Sequence, residues 1–314
     1  MQEAQRYLSG VEDTWGEICG SREFASLWAD KLLGLIRNAW SDTRKWSYVR
    51  GTCLCLSALV AADRLQDLFD LLALQQPPFW PYCRFAVQAL LADGRIDEAL
   101  AFAESSRGLS QNQAVDAACE KILLDAGRSD EAYEKYALKT YVSSTGLTAF
   151  RTLVRRYPGC DPRKILLDLS VSSGQPGLWF AAAKDAGFLD LALEFAKNGR
   201  TDPRTLSRAS RDLLEQDAPF CLHIGRLAIE RILEGYGYEL TALDVIEVYN
   251  HFMAAAQKLE VEVEARNDVL ALATKAQTRN AAFSDTIIRQ CSRAAPVTRA
   301  IELPTWTGRK STRH

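Results

Sequence analysis

Histidine is scarce in this chain, with three residues in 314, at 223, 251 and 314. No His-Glu-x-x-His and no Gly-x-Ser-x-Gly phrase occurs, which removes the usual sequence marks of a zinc protease and a serine hydrolase. Gly-rich phosphate loops are missing as well; Gly235-Tyr236-Gly237 follows a helical pattern rather than a strand, and reads as a turn whose tyrosines pack on a neighbouring unit. No apolar run approaches the roughly 20 residues that span a bilayer. The start, Met1-Gln-Glu-Ala-Gln-Arg, lacks the basic-then-apolar form of a signal peptide. No segment alternates with period two over a strand's length, so no strand is expected. Net charge is −2, and bulk charge therefore does not favour nucleic acid. These absences describe a cytoplasmic, all-α protein without a visible catalytic centre or cofactor.

What is present is a recurring phrase. It reads Asp93-Gly94-Arg95-Ile96-Asp97-Glu98-Ala99, then Ala126-Gly127-Arg128-Ser129-Asp130-Glu131-Ala132, then Ala186-Gly187-Phe188-Leu189-Asp190-Leu191-Ala192. A copy without the glycine is Ala62-Asp63-Arg64-Leu65-Gln66-Asp67. Each phrase predicts a helix end, a tight turn and a new helix. Glycine just past a helix end takes the left-handed conformation that a residue with Cβ resists. Asp97, Asp130 and Asp190 are expected to cap the following helix, with Glu98 and Glu131 in its positive first turn. The alanines are small, as close helix packing requires. Gly94 and Gly127 lie 33 residues apart, the length of a two-helix unit, whereas Gly127 and Gly187 lie 60 apart, so a longer or degenerate unit intervenes. Recurrence of this kind predicts a right-handed α-solenoid of helical hairpins, tetratricopeptide-like although the tetratricopeptide consensus is not met.

Helices are expected near residues 23–39, 44–62, 65–74, 81–92, 97–106, 111–126 and 130–141. They continue near 145–157, 162–172, 177–186, 190–198, 203–216, 219–235 and 241–258. Prolines at 158, 162, 176, 203 and 219 mark helix starts. The expected organisation is a loosely ordered segment over 1–22, a solenoid over 23–280, and a basic, mobile tail over 281–314. From residue 289 onward the chain holds six cations against Glu302 alone, a net +5. The rest is therefore −7 (−2 minus +5).

Three phrases in the second half carry a family resemblance: Trp179-Phe-Ala-Ala-Ala-Lys-Asp-Ala-Gly187, Asp202-Pro-Arg-Thr-Leu206 and Glu234-Gly-Tyr-Gly-Tyr-Glu-Leu-Thr241. Over about residues 45–275 the chain resembles a bacterial family of uncharacterised α-helical-repeat proteins. Some members of that family carry an N-terminal SWIM-type zinc finger, and the resemblance implies a helical-repeat fold without an activity. The finger needs Cys-x-Cys followed closely by Cys-x-His. Here Cys53-Leu-Cys55 and Cys221-Leu-His223 lie far apart, in helical stretches where residues two apart point about 200° from each other. No metal site is expected. The eight cysteines are read as reduced core thiols, small hydrophobes of a cytoplasmic protein.

Arg204, Arg208 and Arg211 fall at i, i+4 and i+7 and line one helix face. Arg151 and Arg155 do the same one or two units earlier, with Arg163 and Lys164 between. With Arg309, Lys310 and Arg313 of the tail they are the candidate partner-binding residues. One reading is a solvated face neutralised by Asp168, Asp202 and Asp212; the other is a groove for an acidic peptide or a nucleic-acid backbone. The preferred function is a non-catalytic protein-interaction module or scaffold. The alternatives are a nucleic-acid-binding helical-repeat protein using the basic strip and tail, and an enzyme on a helical-repeat scaffold.

Overall fold

The computed structural model describes residues 10–41, 48–108, 111–140 and 145–293. Among these, 77% are helical and none is in a strand. The chain divides into two compact units, Met1–Val142 and Ser143–His314.

The first unit holds α1 (Trp15–Ile18), α2 (Arg22–Ser41), α3 (Thr52–Ala61), α4 (Leu65–Ala73), α5 (Trp80–Ala92), α6 (Ile96–Ser105), α7 (Asn112–Asp125) and α8. Helix α8 begins at Ser129–Ala132, widens into a π turn at Tyr133–Ala137 and ends as Leu138–Thr140. From α2 onward each helix packs on its successor, and α3 also packs on α5. The core follows the helical spacing of apolar residues: Ala29, Leu33 and Ile36 of α2 meet Leu56 and Leu59 of α3, Leu68 and Leu71 of α4, and Phe85 and Ala89 of α5. Each fully buried leucine or phenylalanine contributes about 1.5–3 kcal/mol.

The second unit holds α9 (Gly146–Arg156), α10 (Pro162–Ser173), a 3₁₀ turn (Pro176–Trp179) leading into α11 (Phe180–Asp185), α12 (Leu189–Asn198), α13 (Pro203–Asp212), α14 (Ala218–Leu233), α15 (Ala242–Lys258), α16 (Glu262–Ala276) and α17 (Ala281–Ser292). Contacts between next-but-one helices recur here: α9 with α11, α12 with α14, α13 with α15, α14 with α16 and α15 with α17. Asp161, Asp202 and Asp217 cap α10, α13 and α14 just ahead of a proline in the first turn. Thr241 and Asp244 form a reciprocal capping box on α15.

The repeated phrase has one backbone solution. Gly94, Gly127 and Gly187 have φ of 73°, 74° and 80°. In each turn the amide after the glycine donates to the carbonyl five residues earlier: Arg95 to Leu90, Arg128 to Leu123, Phe188 to Ala183. The glycine amide donates three residues back, so the pair of bonds is a Schellman motif. The same pair closes α3 at Asp63, α14 at Gly235 and α15 at Glu260, where Asp63 and Glu260 adopt φ of 60° and 58° without being glycine. The interval of 60 between Gly127 and Gly187 contains the hairpin α9–α10, whose connection turns through Pro158 and Gly159 instead.

Two expectations are corrected. Asp97, Asp130 and Asp190 do not cap: the N-cap positions are Arg95, Arg128 and Phe188, and none makes a side-chain cap bond. The Schellman turn brings the chain into the next helix so quickly that each aspartate already sits in the first turn. Second, the segment from 281 opens with α17, because Ser284, Ile287 and Cys291 are buried at helical spacing.

Candidate functional site

Three cations in and beside the basic strip, Arg151, Arg163 and Arg204, bind carboxylates of other helices. Arg151 of α9 donates to Asp185 of α11 at 2.8 Å. Arg163 of α10 grips Asp190 of α12 through both guanidinium ends and lies over the Phe188 ring at 5.7 Å. Its hydrogen bonds hold the Asp190 carboxyl below the usual range. Lys164 reaches Asp168 one turn on at 2.8 Å. Arg204 of α13 clasps Asp244 of α15 and donates to the carbonyls of Tyr238 and Glu239. That clasp, with the Thr241 bonds, holds the Asp244 carboxyl well below the ordinary carboxylate range. Arg211 meets the adjacent Asp212 at 2.8 Å. Arg155 and Arg208 are exposed and have no ion pair among the described residues. Arg309, Lys310 and Arg313 lie outside the described residues.

These pairs belong to a wider pattern. In the first unit Arg64 joins Asp30 across 34 residues and Arg128 joins Asp97 across 31. In the second, Arg226 of α14 joins Asp268 of α16 across 42, and Lys258 joins Glu215 across 43. The separations are those of one hairpin, so these charges tie the helices they join to counterparts in the adjacent hairpin. The acids Asp185, Asp190 and Asp244 were not recognisable as partners from local spacing. A periodicity of 27–40 between Arg and Asp, the separations of the three pairs, is the signal that finds them.

Three polar clusters resemble reactive sites. Ser207 of α13 hydrogen-bonds His251 of α15 through Nδ1 at 2.9 Å, and Nε2 faces Glu247 at 3.9 Å. Burial lowers the histidine pKa. Ser207 is 4% exposed, and the pair joins α13 to α15. In the first unit Arg107 binds Glu104 and Asp116, and the Tyr136 hydroxyl donates to Glu104 at 2.5 Å. The Arg107 bonds hold the Glu104 carboxyl down to about 2, and burial pushes the Tyr136 hydroxyl far up. The π turn of α8 aims Tyr136 at this cluster; Tyr133 and Tyr136 are both buried. Cys53 and Cys55 both lie on α3, and burial pushes their thiols up to about 11 and about 12. Cys221 and His223 lie on α14. All eight cysteines are free thiols. Among the described residues no group of three His, Cys, Asp or Glu is placed to hold a metal ion. No helix of the described residues is long and apolar enough to cross a membrane.

The second unit also has a regular apolar exposure on α10, where Leu167 and Val171 are 41% and 81% exposed one turn apart. Leu178, at the following 3₁₀ turn, is 57% exposed. No protein-family model matches the chain, and no curated protein matches it.

Proposed function

We propose that each unit is a stretch of right-handed, tetratricopeptide-like α-solenoid, and that the chain is a non-catalytic protein-interaction module or scaffold acting in the cytoplasm. The observation that carries this reading is the set of ion pairs one hairpin apart. They join helices at a repeating offset of about one hairpin, as stacked repeats require. The Schellman turns at a common position in successive hairpins support the same reading. So does packing of helices on their first and second successors. The resemblance to the bacterial helical-repeat family, without its zinc finger, fits this reading.

The basic strip favours protein over nucleic acid as the partner. Of its five described arginines, Arg151, Arg204 and Arg211 are matched by carboxylates, which leaves Arg155 and Arg208. A backbone-reading surface needs several uncommitted cations, since affinity comes from the number of phosphates neutralised. The test is cross-linking in the native host, followed by reconstitution from purified components. The expected outcome is a protein that binds the pure chain with a shallow dependence on salt. Reconstitution with a nucleic acid alone, with a steep salt dependence, replaces this reading by the polyanion one. Turnover of a small molecule by the pure chain contradicts the non-catalytic assignment.

A further inference from the structure

Between the ends of α10 and α12 lies a cleft of about 440 Å³, walled by residues 174–178 on one side and 198–200 on the other. Its floor is bare backbone. A Cβ on Gly199 would stand 2.1 Å from the Gly177 nitrogen, and one on Gly177 would stand 2.8 Å from the Arg200 nitrogen. No side chain fits at either position. The carbonyls of this floor are already engaged. Gly177 accepts from the Thr201 hydroxyl, Gly199 from Arg231, and Gln175 from the Leu178 amide. The wall contains one cation, Arg200, and no acid.

Arg200 is exposed, and among the described residues it has no carboxylate partner. Its guanidinium lies over the Tyr236 ring at 5.6 Å, which fixes it. Arg231 meets the same ring at 5.6 Å and is paired with Glu234. A guanidinium without a carboxylate partner has N–H donors left for a bidentate carboxylate. Leu178 lines the cleft with Arg200, and the exposed Val171 lies in the last turn of α10, which ends at the cleft residue Gly174.

We propose that this cleft binds a short peptide segment of a partner protein, in which a carboxylate stands next to an apolar side chain. The carboxylate pairs with Arg200, the apolar side chain covers Leu178 and Val171, and the peptide backbone lies over the glycine floor. The assignment rests on the interaction-module reading and gives that module a site and a ligand chemistry.

The experiment is selection of phage-displayed random octapeptides on the full chain, with affinities of the selected peptides measured by fluorescence anisotropy. The expected peptides share an Asp or Glu adjacent to a Leu, Ile, Val or Phe. They should bind Arg200→Gln about tenfold or more weakly, as loss of a charged hydrogen-bonding partner implies. Val171→Ser should weaken them several-fold. Thermal melts of both variants should match the parent, since both side chains are exposed. Lys121→Gln, in the other unit, should bind unchanged. Absence of any enriched peptide, or equal affinity for parent and Arg200→Gln, overturns the proposal. A partner that reconstitutes normally with Arg200→Gln and Val171→Ser overturns this site but leaves the interaction-module reading standing.

Discussion

Arg128 donates to Asp97, 31 residues earlier, and through its Nε to Glu131, three residues later. One side chain thus ties the start of its own helix to the start of the helix one hairpin before. Arg64 likewise joins Asp67 of its own helix to Asp30, in the middle of α2. The residue after the left-handed turn is an arginine in both, so the phrase that turns the chain also staples it to its neighbour. Arg163 with Asp190, and Arg204 with Asp244, carry the pattern into the second unit.

The turn itself is the first point to test. A Cβ at Gly127 would meet nothing within 4 Å, so any cost of substitution is backbone conformation alone. Gly127→Val should destabilise by about 1–2 kcal/mol in urea unfolding, because φ is 74° there. The converse holds at Glu260, with φ of 58° and an exposed side chain. Glu260→Gly should stabilise by about 0.5–1 kcal/mol, the relief of strain less the added freedom of the unfolded chain. An unchanged or raised stability of Gly127→Val, together with a lowered stability of Glu260→Gly, would show that the turn does not need its left-handed residue.

Acid should act through Glu104. Its carboxyl is held down to about 2 by Arg107, against about 4.3 for an unfolded glutamate. A depressed carboxylate contributes stability that is fully present above the unfolded value and is lost as pH falls toward the folded one. The melting temperature of the parent should therefore exceed that of Glu104→Gln at pH 6, with the gap closing between about pH 4.3 and 2. A gap independent of pH contradicts the assignment.

Arg204 anchors the loop before α15 through the carbonyls of Tyr238 and Glu239. Arg204→Ala should speed amide hydrogen exchange over residues 236–241 and leave the core amides of α14 protected. Uniformly faster exchange through the second unit would mean that the arginine supports the core instead.

Thiol chemistry should divide the cysteines. Burial raises Cys55 and Cys221 to about 12, and Cys53 and Cys119 to about 11. Only thiolates react quickly, so alkylation at neutral pH should first label Cys19 and Cys160, which are partly exposed. Cys53, partly exposed but with its thiol raised, should follow, and the five buried cysteines should appear only after unfolding. Fast labelling of Cys55 or Cys221 in the native chain would contradict the burial.

The helices were largely legible in the sequence because apolar spacing, Asp-Pro starts and Gly stops mark them locally. Helix α10 is an example: Asp161, Pro162 and Gly174 delimit it directly. Glu260 was not legible as a turn, since a non-glycine residue hides the left-handed conformation. The π turn at Tyr133–Ala137 carries no local signature either. Helix α17 is hidden by the charge of the segment that follows it, although Ser284, Ile287 and Cys291 keep helical spacing. Arg151, Arg163 and Arg204 were visible in the sequence, but their partners lie 27–40 residues away, where only the packed hairpins bring them together.

The central claim is that these arginines hold hairpins together and leave the chain to bind protein. It is tested most directly by anisotropy titration of a fluorescein-labelled single-stranded RNA with the full chain across a range of salt concentrations. The account predicts no saturable binding near physiological salt, and no difference between the parent and a variant with Arg151, Arg155, Arg208 and Arg211 changed to Ala. Saturable binding whose affinity falls by about 0.7 log units per log unit of salt for each phosphate contact, and which that variant loses, would contradict it.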